Sequence, residues 1–419
     1  MQFQARTTCR SCGSGTLTPV LSLGEQYVSN FVEEATSNQV KAPLEMALCN
    51  VGSGGCGLLQ LRHTVPADLM FRRYWYRSGI NATMTAALQD VASRAEQMVQ
   101  LSGGEVVVDI GCNDGTLLRS YRTKGLVLVG FEPATNLVPF AESGTTKVIN
   151  DYFTREKYEE HFPESKAKII TSIAMFYDLE DPNTFVKDVV RCLDDDGVWI
   201  IQMSYLPSML NQNAFDNICH EHLEYYSMIS LRNLLTRHGL EIFDVELNDV
   251  NGGSFRVYVK HRACRSLGNQ SKSHEHLEQI DKLEAVMELS NTRVYADFAL
   301  RVQSLRETLY QFIKRERANG KKIYVYGAST KGNTLLQFCN LNHTLIEAAA
   351  ERNPDKWGKR TVGTLIPIIS EEQARADRPD YFLILPWHFI KEFKEREASY
   401  LTSGGQFIVP LPEFKVIRN

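Results

Sequence analysis

Apolar residues along this chain fall into short solid runs separated by longer periodic stretches, and that alternation predicts the fold. Val106 to Ile110, interrupted only by Asp109, reads as a strand buried on both faces. Val127 to Glu132, Ile169 to Ser172, Val198 to Gln202 and Ser254 to Val259 read as further strands, and a helix is expected from Thr85 to Leu101. Strands alternating with helical spacing specify a doubly wound parallel sheet. Residues 266–279, rich in Ser, Asn, His and Lys, read as a linker, and charge-laced helical sequence then runs to Arg317. A second strand–turn–helix unit follows, with Lys322 to Tyr326 as strand, Gly327 to Gly332 as turn and Asn333 to Phe338 as helix; Tyr381 to Leu385 is a later strand. The chain therefore divides into a cysteine-bearing module (1–65), a central α/β domain (66–265), and linker helices with a smaller α/β domain (266–419). A length of 419 residues is enough for three separate cores.

The turn after Val106–Ile110 carries the first chemistry. Asp109-Ile110-Gly111-Cys112-Asn113-Asp114-Gly115 is followed by Leu117 and Leu118, which read as a helix start. Glycines in such a turn let the backbone approach a ligand, and a helix start offers unpaired N–H groups. The spacing is Asp-x-Gly-x-Asn-x-Gly rather than the Gly-x-Gly-x-x-Gly of dinucleotide binders. It resembles motif I of S-adenosylmethionine methyltransferases, with Asn113 where many members carry glycine. Glu132, ending the next strand, can accept hydrogen bonds from both ribose hydroxyls of an adenosine. That geometry would also serve NAD; the turn is what selects S-adenosylmethionine. Asp109, Gly111, Asn113, Gly115 and Glu132 are the expected cofactor residues of a Rossmann-like domain. The plainer alternative is an ordinary βα unit whose glycines only fit a tight turn.

Net charge is −4 with both signs interspersed, so neither nucleic acid nor an anionic membrane is indicated as a partner. No apolar run approaches the ~20 residues that cross a bilayer, and Met1 to Arg10 lacks the apolar core of a signal peptide. Nine cysteines, mostly scattered, fit a reducing cytoplasm better than a disulfide framework. Four are grouped. Cys9-x-x-Cys12 with Gly13 behind it, and Cys49 and Cys56 bracketing a glycine-rich loop, supply the four thiolates of a tetrahedral structural zinc site. Four unrelated buried thiols are the alternative. A closed Cys₄ site leaves no position for substrate, so its expected role is folding.

Two further segments carry candidate chemistry. The turn Gly327 to Gly332 is either architectural or a second nucleotide cradle; Lys331 favours the latter, since a lysine at a helix start can meet a phosphate. Phe215-Asp216-Asn217-Ile218-Cys219-His220-Glu221-His222-Leu223-Glu224-Tyr225-Tyr226-Ser227 follows a strand and so lies at the carboxyl end of the sheet. Its histidines and glutamates offer a base near neutral pH with a carboxylate to orient it. A polar surface turn is one alternative. Metal binding by His220 and His222, which share a face if extended, is another. Glu221 and His222 are sequence neighbours, and they can share a pocket only if the segment is an irregular turn, or if Glu221 faces the sulfonium while His222 faces the sugar.

These motifs together resemble the S-adenosylmethionine-dependent C-methyltransferases of deoxysugar biosynthesis over nearly the full length. The resemblance rests on the cysteine quartet, the Asp109–Leu118 segment, His220-Glu221-His222-x-x-Tyr225-Tyr226-Ser227, and Gly252-Gly253-Ser254-Phe255-Arg256. Lys331-Gly332-Asn333 and Leu385-Pro386-Trp387-His388-Phe389 also match. It implies methylation of a nucleotide-linked 4-keto-6-deoxy sugar at the carbon beside the ketone, by proton abstraction and an enolate. The implied catalytic residues are His222 as base, with Glu221 and Tyr76. His220, Tyr225, Lys331 and Asn333 are the implied substrate contacts. The chain departs from the family at Cys219, where a tyrosine is expected; Tyr225 or Tyr226 would then supply the phenol, or nothing does. Methylation of a sugar oxygen, and an NAD-dependent sugar-nucleotide oxidoreductase, are the competing activities. The sequence fixes neither the sugar, nor the nucleoside, nor carbon 3 against carbon 5, nor the oligomeric state, for which a monomer suffices.

Overall fold

A computed structural model describes residues 3–33, 39–267 and 272–418. Its centre is a seven-stranded sheet in the order Leu240–Asn248, Ser254–His261, Leu193–Ser204, Ala167–Ile173, Val106–Ile110, Val127–Phe131, Lys147–Ile149. From Leu193–Ser204 onward the strands are parallel, and all five residues of Val106–Ile110 are buried, as a solid apolar run requires. Ser254–His261 departs from the all-parallel expectation, running antiparallel to both of its neighbours. The link back from Asn248 is a tight turn through Asn251 (φ 54°) and Gly253 (φ 110°), far too short for a parallel crossover.

Two expected helices change shape. The first spans Ala82–Met98, earlier than the expected Thr85–Leu101, because the Asn81 side chain caps it by accepting from the amides of Thr83 and Met84. Leu117 and Leu118 begin only a single 3₁₀ turn, Leu118–Ser120. Arg119 donates to the carbonyls of Phe140 and Ser143 while Glu96 takes the amides of Arg122 and Thr123, so the chain is turned aside before a helix can propagate. The expected linker is also shorter than its composition suggests: a helix starts at Ser273, and residues 268–271 lie outside the described residues. Thr292–Ala318 forms the long helix that follows.

The C-terminal sheet has the order Ile368–Ser370, Ala348–Glu351, Ile323–Tyr326, Tyr381–Ile384, Gln406–Val409, Lys415–Ile417, parallel except for the last strand. Its first helix, Thr330–Phe338, begins earlier than expected because the Ser329 hydroxyl accepts from Gly332 N at 3.0 Å. Lys331 therefore sits in the first helical turn.

The cysteine module contributes three strands, Leu17–Tyr27, Lys41–Cys49 and Leu59–Leu61, to a four-stranded sheet. The fourth strand, Glu224–Tyr225, comes from the histidine block and pairs with Gln60 and Leu59. Strand order reverses in the central sheet between Val106–Ile110 and Ala167–Ile173, and in the C-terminal sheet between Ile323–Tyr326 and Tyr381–Ile384. Ligand crevices form outside such reversals, and here residues following both reversals line one cavity of about 560 Å³. Among the described residues no helix is long and apolar enough to cross a membrane.

Candidate active site

The cofactor end of the cavity is built on the turn after Val106–Ile110. Asp109 is buried and accepts a hydrogen bond from Thr171 Oγ1 at 2.6 Å; burial pushes its carboxyl up to about 7. Gly111 holds φ at 74° and Asn113 at 53°, a region where Asn is tolerated among side-chain-bearing residues. Asn113 thus fills a position that would otherwise take glycine, and it does more. Its Oδ1 accepts from Ser78 N at 3.0 Å and its Nδ2 donates to the Tyr76 carbonyl at 3.0 Å, tying segment 74–81 across the turn. Glu132 accepts from Asn113 N (2.7 Å) and Ala134 N (2.8 Å), and burial raises its carboxyl to about 7. Asp109, Gly111, Asn113 and Glu132 all line the cavity; Gly115 does not. A Cβ on Gly115 would meet the Ala141 carbonyl oxygen at 3.0 Å, so this glycine serves packing.

The histidine block folds as an irregular turn, one of the two arrangements its sequence allowed, and Glu221 and His222 both reach the cavity wall. His222 Nδ1 lies 2.8 Å from the Asn217 carbonyl oxygen. A carbonyl only accepts, so Nδ1 carries the proton and Nε2 is left with a lone pair. Burial, reinforced by the Lys331 ammonium, lowers the imidazole to about 3, so it is neutral at physiological pH. Tyr177 packs against the ring at 4.3 Å between centroids. Glu221 is raised to about 7 by burial, partly opposed by Lys331, and accepts from the Tyr74 hydroxyl at 3.5 Å. Lys331 Nζ in turn donates to Asn217 Oδ1 at 2.5 Å. One asparagine therefore joins the expected base to the C-terminal cradle.

Three expected substrate contacts lie elsewhere. His220 Nε2 bonds the Ala42 carbonyl at 2.9 Å, pinning the turn to the cysteine module and diverging from His222, so no His220–His222 metal pair forms. The Tyr225 hydroxyl donates to the Asn217 carbonyl at 3.2 Å, and Asn333 Nδ2 donates to the Asn30 carbonyl at 3.2 Å. None of these three lines the cavity. Tyr226, the other candidate for the missing phenol, donates to Glu224 at 2.9 Å inside the core. Cys219 is fully buried beside Glu221 and His222, its thiol pushed up by burial. The phenols on the wall are those of Tyr76, Tyr74, Tyr152, Tyr177 and Tyr326. Asp178, Asp216 and His388 also line it; Asp216 and His388 lie in segments singled out from sequence, though without a role given to either, and Asp178 was not foreseen. Tyr74 lies in an aromatic- and arginine-rich segment, 71–78, that could have flagged it; Tyr177 and Asp178 had no local signal.

The four clustered cysteines bring their sulfurs within 4.8 Å of one another. Cys9 and Cys56 are 3.7 Å apart, Cys12 and Cys49 3.5 Å. Zinc–sulfur bonds of about 2.3 Å place tetrahedral thiolates about 3.8 Å apart, so the quartet fits zinc. Gly13 (φ 73°) and Gly57 (φ 81°), each directly after a cysteine, allow the chain to turn under the site. Gln60 Nε2 donates to Cys9 Sγ at 3.1 Å, linking the site to the strand that pairs with Glu224–Tyr225.

Comparison with known proteins agrees with this architecture. Family profiles match in chain order: "Putative zinc binding domain" over residues 9–71, "Methyltransferase domain" over 80–245 and "C-methyltransferase C-terminal domain" over 249–412. The chain is 32% identical over 416 residues to the C-methyltransferase NovU of Streptomyces niveus, covering 98% of this chain and 96% of that one. This protein belongs to the C-methyltransferase family. As an S-adenosylmethionine-dependent C-methyltransferase it sets aside the oxidoreductase and oxygen-methylating readings. Among solved structures, it is similar to the mitomycin 7-O-methyltransferase MmcR, with 15% identity and a TM-score of 0.34 over 43% of this chain and 55% of that one. It is also similar to the plantazolicin methyltransferase BpumL in complex with SAH, with 11% identity and a TM-score of 0.33 over 42% of this chain and 82% of that one.

Proposed function

We propose that this C-methyltransferase methylates a nucleotide-linked 4-keto-6-deoxy sugar at the carbon beside its ketone, with His222 as the base. The observation that carries the reading is the His222–Asn217 hydrogen bond. It fixes the tautomer with Nε2 unprotonated, on a wall shared by the cofactor turn and the C-terminal cradle. His222 Nε2 takes the proton as the carbon–hydrogen bond breaks, and the electron pair moves onto the ketone oxygen as an enolate. The Lys331 ammonium and the phenols of Tyr74 and Tyr76 line the same cavity and are groups suited to stabilise the developing negative charge. S-adenosylmethionine supplies an electrophilic methyl, so that a carbon–carbon bond forms as its carbon–sulfur bond breaks and S-adenosylhomocysteine leaves. Asp109, Gly111, Asn113 and Glu132 would hold that cofactor. Lys331, within the first turn of its helix, is placed to meet either the substrate's phosphates or its ketone.

The test is mass spectrometry of nucleotide-linked 4-keto-6-deoxy sugars incubated with the protein and S-adenosylmethionine. The expected result is one added methyl on carbon, and a loss of about 10²–10⁴ in rate for His222→Ala with cofactor binding kept. Unchanged turnover in His222→Ala would remove it as the base.

A further inference from the structure

The strand Ala167–Ile173 ends at the reversal of the central sheet, and the chain then bends, with Ala174 at φ 54°, into the single 3₁₀ turn Phe176–Asp178. Phe176 anchors that turn in the core, fully buried against Trp199 and Tyr226. Tyr177 and Asp178 are thereby presented to the cavity. Tyr177 packs on the His222 ring and its carbonyl accepts from Leu223 N at 2.9 Å, so Asp178 follows a residue fastened to the histidine turn. Asp178 itself has no partner. Neither of its carboxyl oxygens takes a hydrogen bond or an ion pair among the described residues, and Oδ1 is sealed from solvent. Glu221, the carboxyl that shares this wall, differs in having a donor, the Tyr74 hydroxyl at 3.5 Å. A carboxylate withdrawn from water needs donors or a counter-charge, and two carboxyls in one pocket do not both ionise readily. The charge therefore settles on Glu221 and the proton stays on Asp178. The surrounding charges agree: burial raises the Asp178 carboxyl well above the usual carboxylate range, Glu221 and Glu224 add to the shift, and Lys331 opposes it. Tyr74, Tyr177, Cys219 and Tyr225, the other titratable groups around it, are all pushed up by burial and remain neutral.

We propose that Asp178 is a catalytic acid: it enters the reaction protonated and donates a hydrogen bond to the substrate's ketone oxygen while His222 takes the proton from the neighbouring carbon. This rests on the methylation of a keto sugar at carbon proposed above. As the carbon–hydrogen bond breaks toward His222 Nε2, the electron pair passes onto the ketone oxygen, and the Asp178 O–H holds the enolate that forms. An ionised carboxylate at the same place would repel that oxygen, whereas a neutral acid stabilises it without adding charge. When the new carbon–carbon bond forms and the carbon–sulfur bond of the methyl donor breaks, the ketone returns and the proton remains on Asp178. The proton taken from carbon sits on His222, with the Glu221 carboxylate within 4.8 Å as its counter-charge, and leaves from there to solvent. The two carboxyls of the wall thus take opposite parts, Glu221 beside the base and Asp178 at the oxygen.

The test begins with the infrared difference spectrum of wild type against Asp178→Asn above neutral pH, where Glu221, at about 7, has lost its proton. A protonated-carboxyl band present in wild type and lost in the variant is expected. Its absence overturns the assignment whatever the activity. Deuterium exchange at the carbon beside the ketone, with S-adenosylhomocysteine bound and nucleotide-linked 4-keto-6-deoxy sugars as probes, then reads the role. Asp178→Leu removes the donor and should slow exchange about 10²–10³-fold, whereas Asp178→Asn, whose amide N–H still donates, should stay within about tenfold of wild type. Unchanged affinity of both variants for S-adenosylmethionine would show the fold intact. Exchange in Asp178→Leu as fast as in wild type overturns this role and leaves the proposed reaction standing. So does exchange in Asp178→Asn as slow as in Asp178→Leu. Failure of wild type to exchange any of the keto sugars would overturn the proposed reaction, and the role with it.

Discussion

Removing zinc should stop turnover while leaving the cofactor bound, because among the described residues the cysteine module is bonded to the histidine turn and makes no hydrogen bond to the cofactor turn. The perturbation is Cys49→Ser with Cys56→Ser, or chelation in the presence of a thiol reductant. Structural zinc contributes roughly 10–16 kcal/mol in small Cys/His modules, comparable to the whole stability of an ordinary domain at about 5–15 kcal/mol. A module without it should lose its order. The histidine turn would then lose the strand pairs Glu224–Gln60 and Tyr225–Leu59, the Leu61 N to Leu223 O bond of 2.9 Å and the His220 to Ala42 bond of 2.9 Å. At about 1 kcal/mol net for each such bond, that is several kcal/mol of anchoring released from a segment whose geometry must hold to within an ångström. A displacement of about 1 Å at a reacting group costs on the order of a hundredfold in rate. Zinc content by mass spectrometry, S-adenosylmethionine affinity by calorimetry and turnover by release of S-adenosylhomocysteine together make the assay. The expected result is no zinc, turnover down at least about a hundredfold and cofactor affinity within about twofold. Full turnover in zinc-free protein would refute the reasoning, as would loss of cofactor binding in parallel with turnover.

Deuterium wash-in at the carbon beside the ketone, measured with S-adenosylhomocysteine bound, isolates proton abstraction. Because His222 is lowered to about 3, it stays neutral from pH 7 to pH 5, whereas a base with pKa about 6.5 would fall to about 3% neutral at pH 5. Exchange that follows a single pKa near 6.5 would contradict the burial of His222. Glu132→Gln should weaken S-adenosylmethionine about tenfold to a hundredfold in calorimetry, since one amide loses its acceptor and the ribose its charged partner. Burial raises Glu132 from 4.5 to about 7, so the folded protein keeps a proton that the unfolded chain releases, and cofactor-free stability should fall as pH rises from about 4.5 to about 7. Glu132→Gln should flatten that slope in thermal melts. Asn113→Ala removes the bonds to Ser78 and Tyr76 and sets a Cβ-only residue at φ 53°, so it should raise the KM for the cofactor more than it lowers kcat.

Much of this architecture was readable wherever the signal is local. Val106–Ile110 was readable as a buried strand, and the Asp109-to-Glu132 spacing favoured a cradle over a plain βα unit, because turn chemistry and strand burial are decided within a few residues. Asn113 in place of glycine looked like a departure and turned out to meet the same backbone demand. What could not be read were consequences of distant pairing. Nothing near His220 announces that Ala42 will take its ring nitrogen, and nothing near Asn333 announces Asn30. Gly115 reads as a ligand-facing glycine but is held by its packing on Ala141. Tyr177 and Asp178 acquire a place on the wall because they follow a strand at the reversal of the central sheet.

The placement of the histidine turn answers a geometric problem peculiar to the proposed chemistry. The methyl donor's expected cradle belongs to the central sheet and the acceptor's to the C-terminal sheet, and a base must be fixed relative to both at once. A base carried by either domain alone would move against the other with every shift between them. Segment 215–225 is instead fastened to all three parts of the chain. Leu223 N donates to the Tyr177 carbonyl of the central domain, Glu224–Tyr225 joins the sheet of the cysteine module, and Asp216 and Asn217 take bonds from Trp387 and Lys331 of the C-terminal domain. Rigid positioning of this kind is worth more to a carbon-bound proton transfer than added basicity, because the reacting atoms must already be aligned when the cofactor is in place. It also gives the zinc module a reason to exist in an α/β enzyme whose own sheets are already well buried: it supplies the third anchor.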